Sequence, residues 1–290
     1  MQQAADLAKA NFGERHWLTR LKQSLADGLK SVANLPMAQQ ELFLDSLNSQ
    51  ATGSRFTSQG KRDLALKGLR RAHAKLVAAI GPDHILTVYS LFGISADENL
   101  LGAPEFGKQH ALMIVPVAAA QWGKDNPAYA HALRNLAWAE CQLREFDSAE
   151  RHLQQAIAIL EPVVTEGLSD FYIQTYALAH SNLARVYNEQ GRYAEAERPA
   201  RLGAELLALH PNPHYFEIVA GLLEVARSES GQGRYAQAEI KFTAVRRIQL
   251  GLRHPWLTER FTTLFNEHRD RARSAAGNTA EKSAQPAVKK

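Results

Sequence analysis

Apolar residues recur at spacings of three and four along most of the chain, which is the pattern of amphipathic helices. Leu133, Leu136 and Ala137 form one such series, and a second series runs from Ala149 to Leu160 with charged residues between the apolar ones. The pattern breaks near Arg144, so these two helices are expected to form a hairpin. No segment has the alternation of a β-strand, and the pattern therefore predicts an all-α protein.

The hairpin pattern repeats with a period of about 42 residues. The segments "GRYAEAE" at 191–197 and "GRYAQAE" at 233–239 agree at six of seven positions and start 42 residues apart. Short segments containing Gly or Pro, which interrupt helices, lie near residues 81, 123, 167, 210 and 251. We therefore expect four helical hairpins between Gly81 and Gly251.

The repeated seven-residue segment is interpreted as the joint of a hairpin. Gly191 and Gly233 stand where the first helix must end, because glycine enters the left-handed conformation at little cost. The tyrosines two residues later would fill the space beside the turn. Ala196 and Ala238 are expected at the helix crossing, where a methyl side chain permits close approach. The segment therefore indicates packing and carries no chemistry by itself.

The order Gly, Tyr, Ala in these segments, together with "NLA" at 135–137 and 182–184, resembles the tetratricopeptide repeat. The unit of about 42 residues, longer than the usual 34 or so, is similar to the kinesin-light-chain-like subclass. The resemblance implies a right-handed α-α superhelix, a solenoid of stacked helical hairpins. In the first unit Pro104 replaces the aromatic residue, which leaves the pairing of its helices open.

The segments around the repeats predict the domain organisation. Residues 1–50 carry helical spacing and are expected to form a helical N-terminal extension. The polar stretch 51–60 is predicted to be a linker. The repeat array is expected over 61–273 and to include a C-terminal capping helix. Residues 274–290 lack large apolar side chains, and a disordered tail is predicted there.

Composition narrows the functional class. The 34 basic and 30 acidic residues give a net charge of +4, a small excess that does not by itself indicate nucleic-acid binding. Cys141 is the only cysteine, so an internal disulfide and a multi-cysteine metal cluster are excluded. The longest apolar run, Ala111 to Trp122, is much shorter than a membrane span of about 20 residues. The N-terminal residues lack the pattern of a secretory signal, and a cytoplasmic location is expected.

The resemblance implies a non-enzymatic adaptor that holds a peptide or helix of a partner protein in a concave groove lined by the first helices. The binding positions that the resemblance assigns here are His131, Arg134, Asn135, Trp138, Ser181, Asn182, Arg185, Asn188, Glu224 and Arg227. An asparagine amide can pair with a peptide backbone, arginine can grip a carboxylate with two hydrogen bonds, and tryptophan can anchor an apolar side chain. An acidic or carboxylate-bearing ligand is favoured.

Structural roles for the same residues stay open. Asn135 and Asn182 could instead bond to the neighbouring hairpin and fix the stacking of the repeats. Trp138 could lie in the core between units, and Arg134, Arg185 and Arg227 could be ordinary solvated charges.

Other functional classes find less support in the sequence. His210 and His214 have the spacing of paired zinc ligands, but Pro211 and Pro213 keep them from sharing a helical face, so no metal site is predicted. Nucleotide-binding loops and nucleophile motifs are missing, and neither enzymatic activity nor a cofactor is expected. Two alternatives remain: a basic solenoid that binds nucleic acid, although its Arg and Lys residues are scattered among acidic ones, and a structural module whose groove is filled by a second copy.

Overall fold

The structure of the protein is a computed structural model that describes residues 1–14, 16–58, 61–167, 169–211, 215–252 and 255–284. Every regular element in these ranges is an α-helix, which confirms the predicted all-α class. The thirteen helices described are α1 (Gln2–Phe12), α2 (Trp17–Ala33), α3 (Met37–Ser58), α4 (Arg62–Ile80), α5 (Ile85–Leu100), α6 (Pro104–Trp122), α7 (Pro127–Gln142), α8 (Phe146–Thr165), α9 (Asp170–Glu189), α10 (Tyr193–Leu209), α11 (Tyr215–Gly231), α12 (Tyr235–Leu252) and α13 (Pro255–Ala284).

The helices form two compact units. Unit 1, Met1–Glu166, contains α1 to α8, and unit 2, Gly167–Lys290, contains α9 to α13. In unit 1 the consecutive pairs α3/α4, α5/α6 and α7/α8 pack as hairpins, and in unit 2 the pairs are α9/α10 and α11/α12. Helix α13 packs against α11 and α12 in the place that the first helix of another hairpin would take.

The joints of the hairpins have the predicted geometry. Gly191 and Gly233 have φ values of 75° and 77°, which lie in the left-handed region that glycine tolerates. Ala196 and Ala238 are completely buried, as expected at a helix crossing. Arg144 takes the left-handed position between α7 and α8 with a φ of 63°. The break predicted near Arg144 is therefore confirmed.

The first predicted unit also forms a hairpin, although it departs from the repeat pattern. Pro104 occupies the first position of α6, where the missing N–H costs no helical hydrogen bond. At Gly107 a Cβ atom would lie 2.1 Å from Oδ1 of Asn99, so α5 and α6 cross there with little space between them. The question that Pro104 leaves open is thus settled in favour of pairing.

A buried glutamate recurs near the end of three first helices and joins them to second helices. Glu98 of α5 accepts hydrogen bonds from Arg70 of α4 at 2.8 Å and contacts Nδ1 of His110 of α6 at 2.7 Å. The same position holds Glu140 in α7 and Glu229 in α11, and both are also buried and paired with basic side chains of second helices. These pairs satisfy carboxylates that would be costly to bury alone.

Helix α2 lies across the loops that connect the hairpins of unit 1. Ser31 contacts Nε2 of His84 at 2.8 Å in the loop before α5. The amide of Asn126, in the loop before α7, donates to the backbone carbonyl of Trp17 at 3.1 Å. An extension whose role is not evident from the sequence therefore braces successive hairpins.

The prediction of a linker at 51–60 is wrong, because α3 continues to Ser58 and pairs with α4. A Cβ atom at Gly68 would lie 3.0 Å from the Cα atom of Gly53, so the two helices approach closely through their glycines. The small and polar residues that indicated a loop allow close helix packing instead. Residues 59–60 lie outside the described residues.

The prediction of a disordered tail at 274–290 is also corrected, because α13 continues as far as Ala284. This stretch contains Ala, Glu and Lys, which have high helix propensity. Extension of a helix that is already nucleated needs little further stabilisation, so large apolar residues are not required. Residues 285–290 lie outside the described residues.

Candidate partner-binding site

The predicted binding residues lie on the first helices, which pack directly on one another within each unit. Two asparagines fix this packing. The amide of Asn99 on α5 donates to the backbone carbonyl of Asn135 on α7 at 3.1 Å, and the amide of Asn188 on α9 donates to the carbonyl of Glu224 on α11 at 2.9 Å. Both bonds are buried and join residues 36 apart. Asn188 therefore serves as a stacking residue in unit 2.

In unit 1 the side chain of Asn135 is fully buried. Its oxygen accepts a hydrogen bond from Nη2 of Arg134 at 2.6 Å, and its amide nitrogen donates to the backbone carbonyl of Phe92 on α5 at 3.4 Å. Of the two roles left open by the sequence, the contacts of Asn135 match the stacking role. Arg134 is also buried, and it is not an ordinary solvated charge.

Aromatic side chains provide the more accessible part of this face in unit 1. The ring of His131 stacks on Phe92 with a centroid separation of 4.9 Å. Burial, and secondly the nearby charge of Arg134, hold the pKa of His131 well below its usual value, so the ring is neutral at pH 7. Trp138 is half-buried, and Tyr89 of α5 is exposed. The accessible side chains here are therefore aromatic and uncharged.

In unit 2 the corresponding face contains a compact network of charged residues. Glu189 of α9 accepts a hydrogen bond from Arg260 of α13 at 2.8 Å and one from Nη2 of Arg227 of α11 at 3.4 Å, and Nη1 of Arg227 forms an ion pair with it at 2.8 Å. Arg260 also donates to Glu224 of α11 at 2.9 Å, and Glu224 accepts a further bond from the Asn188 amide at 3.1 Å. Helices α9, α11 and α13 are thus joined through the carboxylates of Glu189 and Glu224.

The electrostatics of this network favour charged forms. Burial alone would raise the pKa of Glu189, but Arg260 and Arg227 offset this effect and lower the pKa to about 2. For Glu224 burial acts in the same upward direction, and the positive charges of Arg260, Arg227 and Arg185 again lower the pKa. Both glutamates are therefore ionised at neutral pH, and the cluster remains fully charged despite its burial.

The remaining residues of α9 differ from one another in environment. Ser181 is buried at the crossing with α10, where a Cβ atom at Gly203 would lie 2.3 Å from the Ser181 hydroxyl oxygen. The structure thus places Ser181 inside its own hairpin and not on the expected exposed stripe. Asn182 and Arg185 are half-buried on that stripe. Nδ2 of Asn182 makes no hydrogen bond with any residue that the structure describes.

Sequence reasoning missed three residues of this face. Glu189 follows Asn188 directly, and Arg260 lies in a helix for which the sequence predicts only a capping role. Tyr89 precedes His131 by one period of 42 residues, which was a usable signal. Arg260 gave no such signal, because its role depends on α13 packing as a further first helix.

The described residues contain no grouped metal ligands and no helix suited to span a membrane. Among the described residues, no group of three or more His, Cys, Asp or Glu side chains is placed to hold a metal ion. His214, one of the two histidines with zinc-like spacing, lies outside the described residues. None of the helices in the described ranges is long and apolar enough to span a membrane.

Sequence comparison identifies the repeats. The sequence model of the tetratricopeptide repeat family matches residues 130–163 and 177–205. These segments lie in the α7/α8 and α9/α10 hairpins. No curated protein sequence matches the chain. The two matched segments are tetratricopeptide repeats, as the sequence resemblance implies.

Solved structures share the fold. A putative kinesin light chain from Podosopora anserina with nearly identical repeats is 18% identical, with 71% of this chain and 95% of that chain covered and a TM-score of 0.50. A Rap protein complexed with competence and sporulation factor is 15% identical over 82% of this chain and 69% of that chain, with a TM-score of 0.60. BtubC from P. vanneervenii is 16% identical over 80% of this chain and 92% of that chain, with a TM-score of 0.52. At these identities the likeness concerns the fold, and it confirms the kinesin-light-chain-like character of the repeats at that level.

Proposed function

We propose that the protein is a non-enzymatic interaction scaffold that binds a peptide segment of a partner protein along its first helices. The observation that carries the proposal is the Asn182 amide on α9, whose Nδ2 has no hydrogen-bond acceptor in the described part of the chain. Leaving a buried amide donor unsatisfied costs about 1–3 kcal/mol. A peptide carbonyl supplied by a partner would satisfy this donor.

The charges around Asn182 favour a partner segment that carries a carboxylate. The positive charges of Arg260, Arg227 and Arg185 all lie near Glu224 and lower its pKa, so arginines are concentrated on this part of α9, α11 and α13. Arg227 is buried and Arg260 bridges Glu189 and Glu224, whereas Arg185 is half-buried on α9. Because arginine can hold a carboxylate with two parallel hydrogen bonds, we assign Arg185 as the anchor for an acidic residue or a chain terminus of the partner.

The face of unit 1 would bind a different kind of side chain. His131 and Trp138, together with Tyr89, offer aromatic surface without charge, which suits an apolar side chain. The other predicted binding residues would hold the first helices in place through the contacts described above. They are Arg134, Asn135, Ser181, Asn188, Glu224 and Arg227.

The fold is compatible with this role. The Rap protein of the same fold was solved in complex with competence and sporulation factor. A cytoplasmic location remains a prediction, which cell fractionation followed by immunoblotting would test.

The proposal is tested by affinity capture from the native lysate with the purified full chain as bait. We compare the wild type with the double variant Asn182→Ala/Arg185→Ala and with a control variant, Gln154→Ala/Gln155→Ala, whose residues are exposed on α8. Wild type and control should retain a specific protein that the double variant loses, while helicity and melting temperature stay unchanged in all three.

Three outcomes would contradict the proposal. Equal capture by the double variant and the wild type would show that Asn182 and Arg185 do not hold a partner. Capture that disappears after nuclease treatment would favour the nucleic-acid alternative. A melting temperature several degrees lower in the double variant would assign both residues to repeat stacking.

A further inference from the structure

Helix α3 of unit 1 carries a row of exposed apolar side chains. Met37, Leu44 and Leu47 are 77%, 59% and 42% exposed, and Ala51, also exposed, continues the row. Their spacings of seven, three and four place all four on one side of the helix. The opposite side of α3, which includes Gly53, packs against α4. The described part of the chain therefore leaves the apolar row uncovered.

The helices at the ends of a repeat array normally have a polar outer side, which keeps the array soluble. Helix α13, the last helix described, follows this rule. Its exposed residues at spacings of three and four are polar or charged, and they are Thr258, Thr262, Asn266, Arg269 and Arg273. Helix α3, which opens the first hairpin, departs from the rule. Exposed apolar surface of this kind typically marks an interaction site.

A row of polar residues runs beside the apolar row of α3. Glu41, Asn48 and Arg55 are all exposed and follow one another at intervals of seven residues, which return to nearly the same side of a helix. Glu41 and Arg55 lie about 10 Å along the helix on either side of Asn48. Asp45, a further acidic residue of α3, is paired with Lys75 of α4. The polar row thus has a negative end, a neutral centre and a positive end.

This charge pattern is complementary to itself after a rotation by 180°. In an antiparallel pair of α3 helices with a two-fold axis at Asn48, Glu41 of each copy would face Arg55 of the other. The two Asn48 amides would meet at the axis, where each can donate and accept a hydrogen bond. A parallel pair would instead bring like charges to the same level. The pattern therefore favours a second copy of this chain, in antiparallel orientation, as the occupant of the surface.

We propose that α3 is a dimerisation surface, through which two copies of this chain pack as an antiparallel helix pair centred at Asn48. The apolar row supplies the contact, while the charged ends and the central asparagine fix its direction and register. The strip from Met37 to Arg55 is about 27 Å long and about 10 Å wide. Because it offers less surface than the roughly 800 Å² per partner of a standard interface, we expect a weak dimer with a dissociation constant of about 10–100 µM.

Sedimentation equilibrium of the full chain tests the contact at concentrations from about 1 to about 300 µM, which bracket the expected dissociation constant. The wild type should show a reversible equilibrium between monomer and dimer. Leu44→Gln/Leu47→Gln removes the apolar contact and should weaken the dimer at least about tenfold. The matched control, Leu112→Gln/Met113→Gln, changes two residues that are 51% and 44% exposed on α6 and should dimerise as the wild type does.

Charge reversal tests the antiparallel direction. Glu41→Arg and Arg55→Glu should each weaken self-association at least about tenfold, because each substitution brings like charges together at both ends of the pair. An equimolar mixture of the two variants should form a heterodimer with wild-type affinity, since every facing pair in it has opposite charges. The double variant Glu41→Arg/Arg55→Glu should dimerise again for the same reason. Arg246→Glu, at an exposed position of α12, is the control and should have no effect.

Several results would overturn the proposal. They are a monomer at every concentration, a dimer that Leu44→Gln/Leu47→Gln leaves intact, and a mixture of the two charge variants that associates no better than either alone. A monomeric chain that loses a captured lysate protein in Leu44→Gln/Leu47→Gln would assign the surface to a partner protein. Co-sedimentation with phosphatidylserine vesicles, lost in the same variant, would assign it to a membrane. Asn182→Ala/Arg185→Ala should dimerise as the wild type does, so this test is independent of the proposed function.

Discussion

The repeated hairpin joint shows how much one residue position decides. Ala196 is fully buried near the start of α10, and Ala194, two residues earlier on the same helix, is exposed. Both are alanines with the same helix propensity. Their surroundings alone therefore determine the effect of a larger side chain.

We predict that Ala196→Leu destabilises the protein by about 1–3 kcal/mol, because the added carbons have no space at the crossing. Ala194→Leu should change the free energy of unfolding by less than about 0.5 kcal/mol, since its side chain projects into solvent. Urea unfolding followed by circular dichroism measures both. Wild-type stability of Ala196→Leu would show that the crossing lies elsewhere.

Residue type alone could not decide between binding and stacking. Asn135 and Asn182 occupy the same place in the two "NLA" segments, yet Asn135 has acceptors and donors on its neighbours while Nδ2 of Asn182 has none among the described residues. The residue type and the place in the repeat are the same, and only the hydrogen-bond partners differ. Repeat position was predictable from the sequence, and hydrogen-bond partners were not.

At the scale of the helix, α2 acts as a brace for unit 1. Asn126 is fully buried and has two roles: its oxygen accepts from the backbone N–H of Ala128 at the start of α7, and its amide donates to Trp17 of α2. Its neighbour Asp125 pairs with Arg20 of α2 at 2.7 Å, but the aspartate is largely exposed. The two adjacent residues thus contact the same helix in different environments.

We expect Asn126→Ala to lower the free energy of unfolding by roughly 1–3 kcal/mol, because a helix cap is lost and a buried carbonyl loses its donor. Asp125→Ala should cost less than about 1 kcal/mol, since exposed ion pairs contribute little. Equal effects of the two substitutions, measured by denaturant unfolding, would contradict the brace.

Both corrections to the predicted elements have one physical origin. Gly53 and the alanines after Ser274 lack large side chains, and sequence patterns detect helices chiefly through large apolar residues at regular spacing. At Gly53 the small side chain brings two helices close together. After Ser274 the alanines, with Glu281 and Lys282, favour continuation of α13. Neither cause leaves a periodic signal.

At the scale of the whole molecule, the sequence predicted the class of fold because its information is repeated. A period of about 42 residues, glycine joints and buried alanines all indicate helical hairpins. The candidate sites depend on differences between helices of the array, such as apolar Leu44 on the exposed side of α3 against polar Asn266 on that of α13. Such differences have a meaning only when the exposed sides of the helices are known.

The central claim is that a partner peptide lies against the first helices beside Asn182. The most direct measurement is photo-crosslinking with benzoylphenylalanine placed at position 178 of the full chain, one turn before Asn182 on α9, with position 155 on α8 as the control site. The protein captured by the wild type should crosslink at position 178, and mass spectrometry should locate the bond in an acidic segment of that protein. A crosslink formed at position 155 and not at 178 would contradict the account.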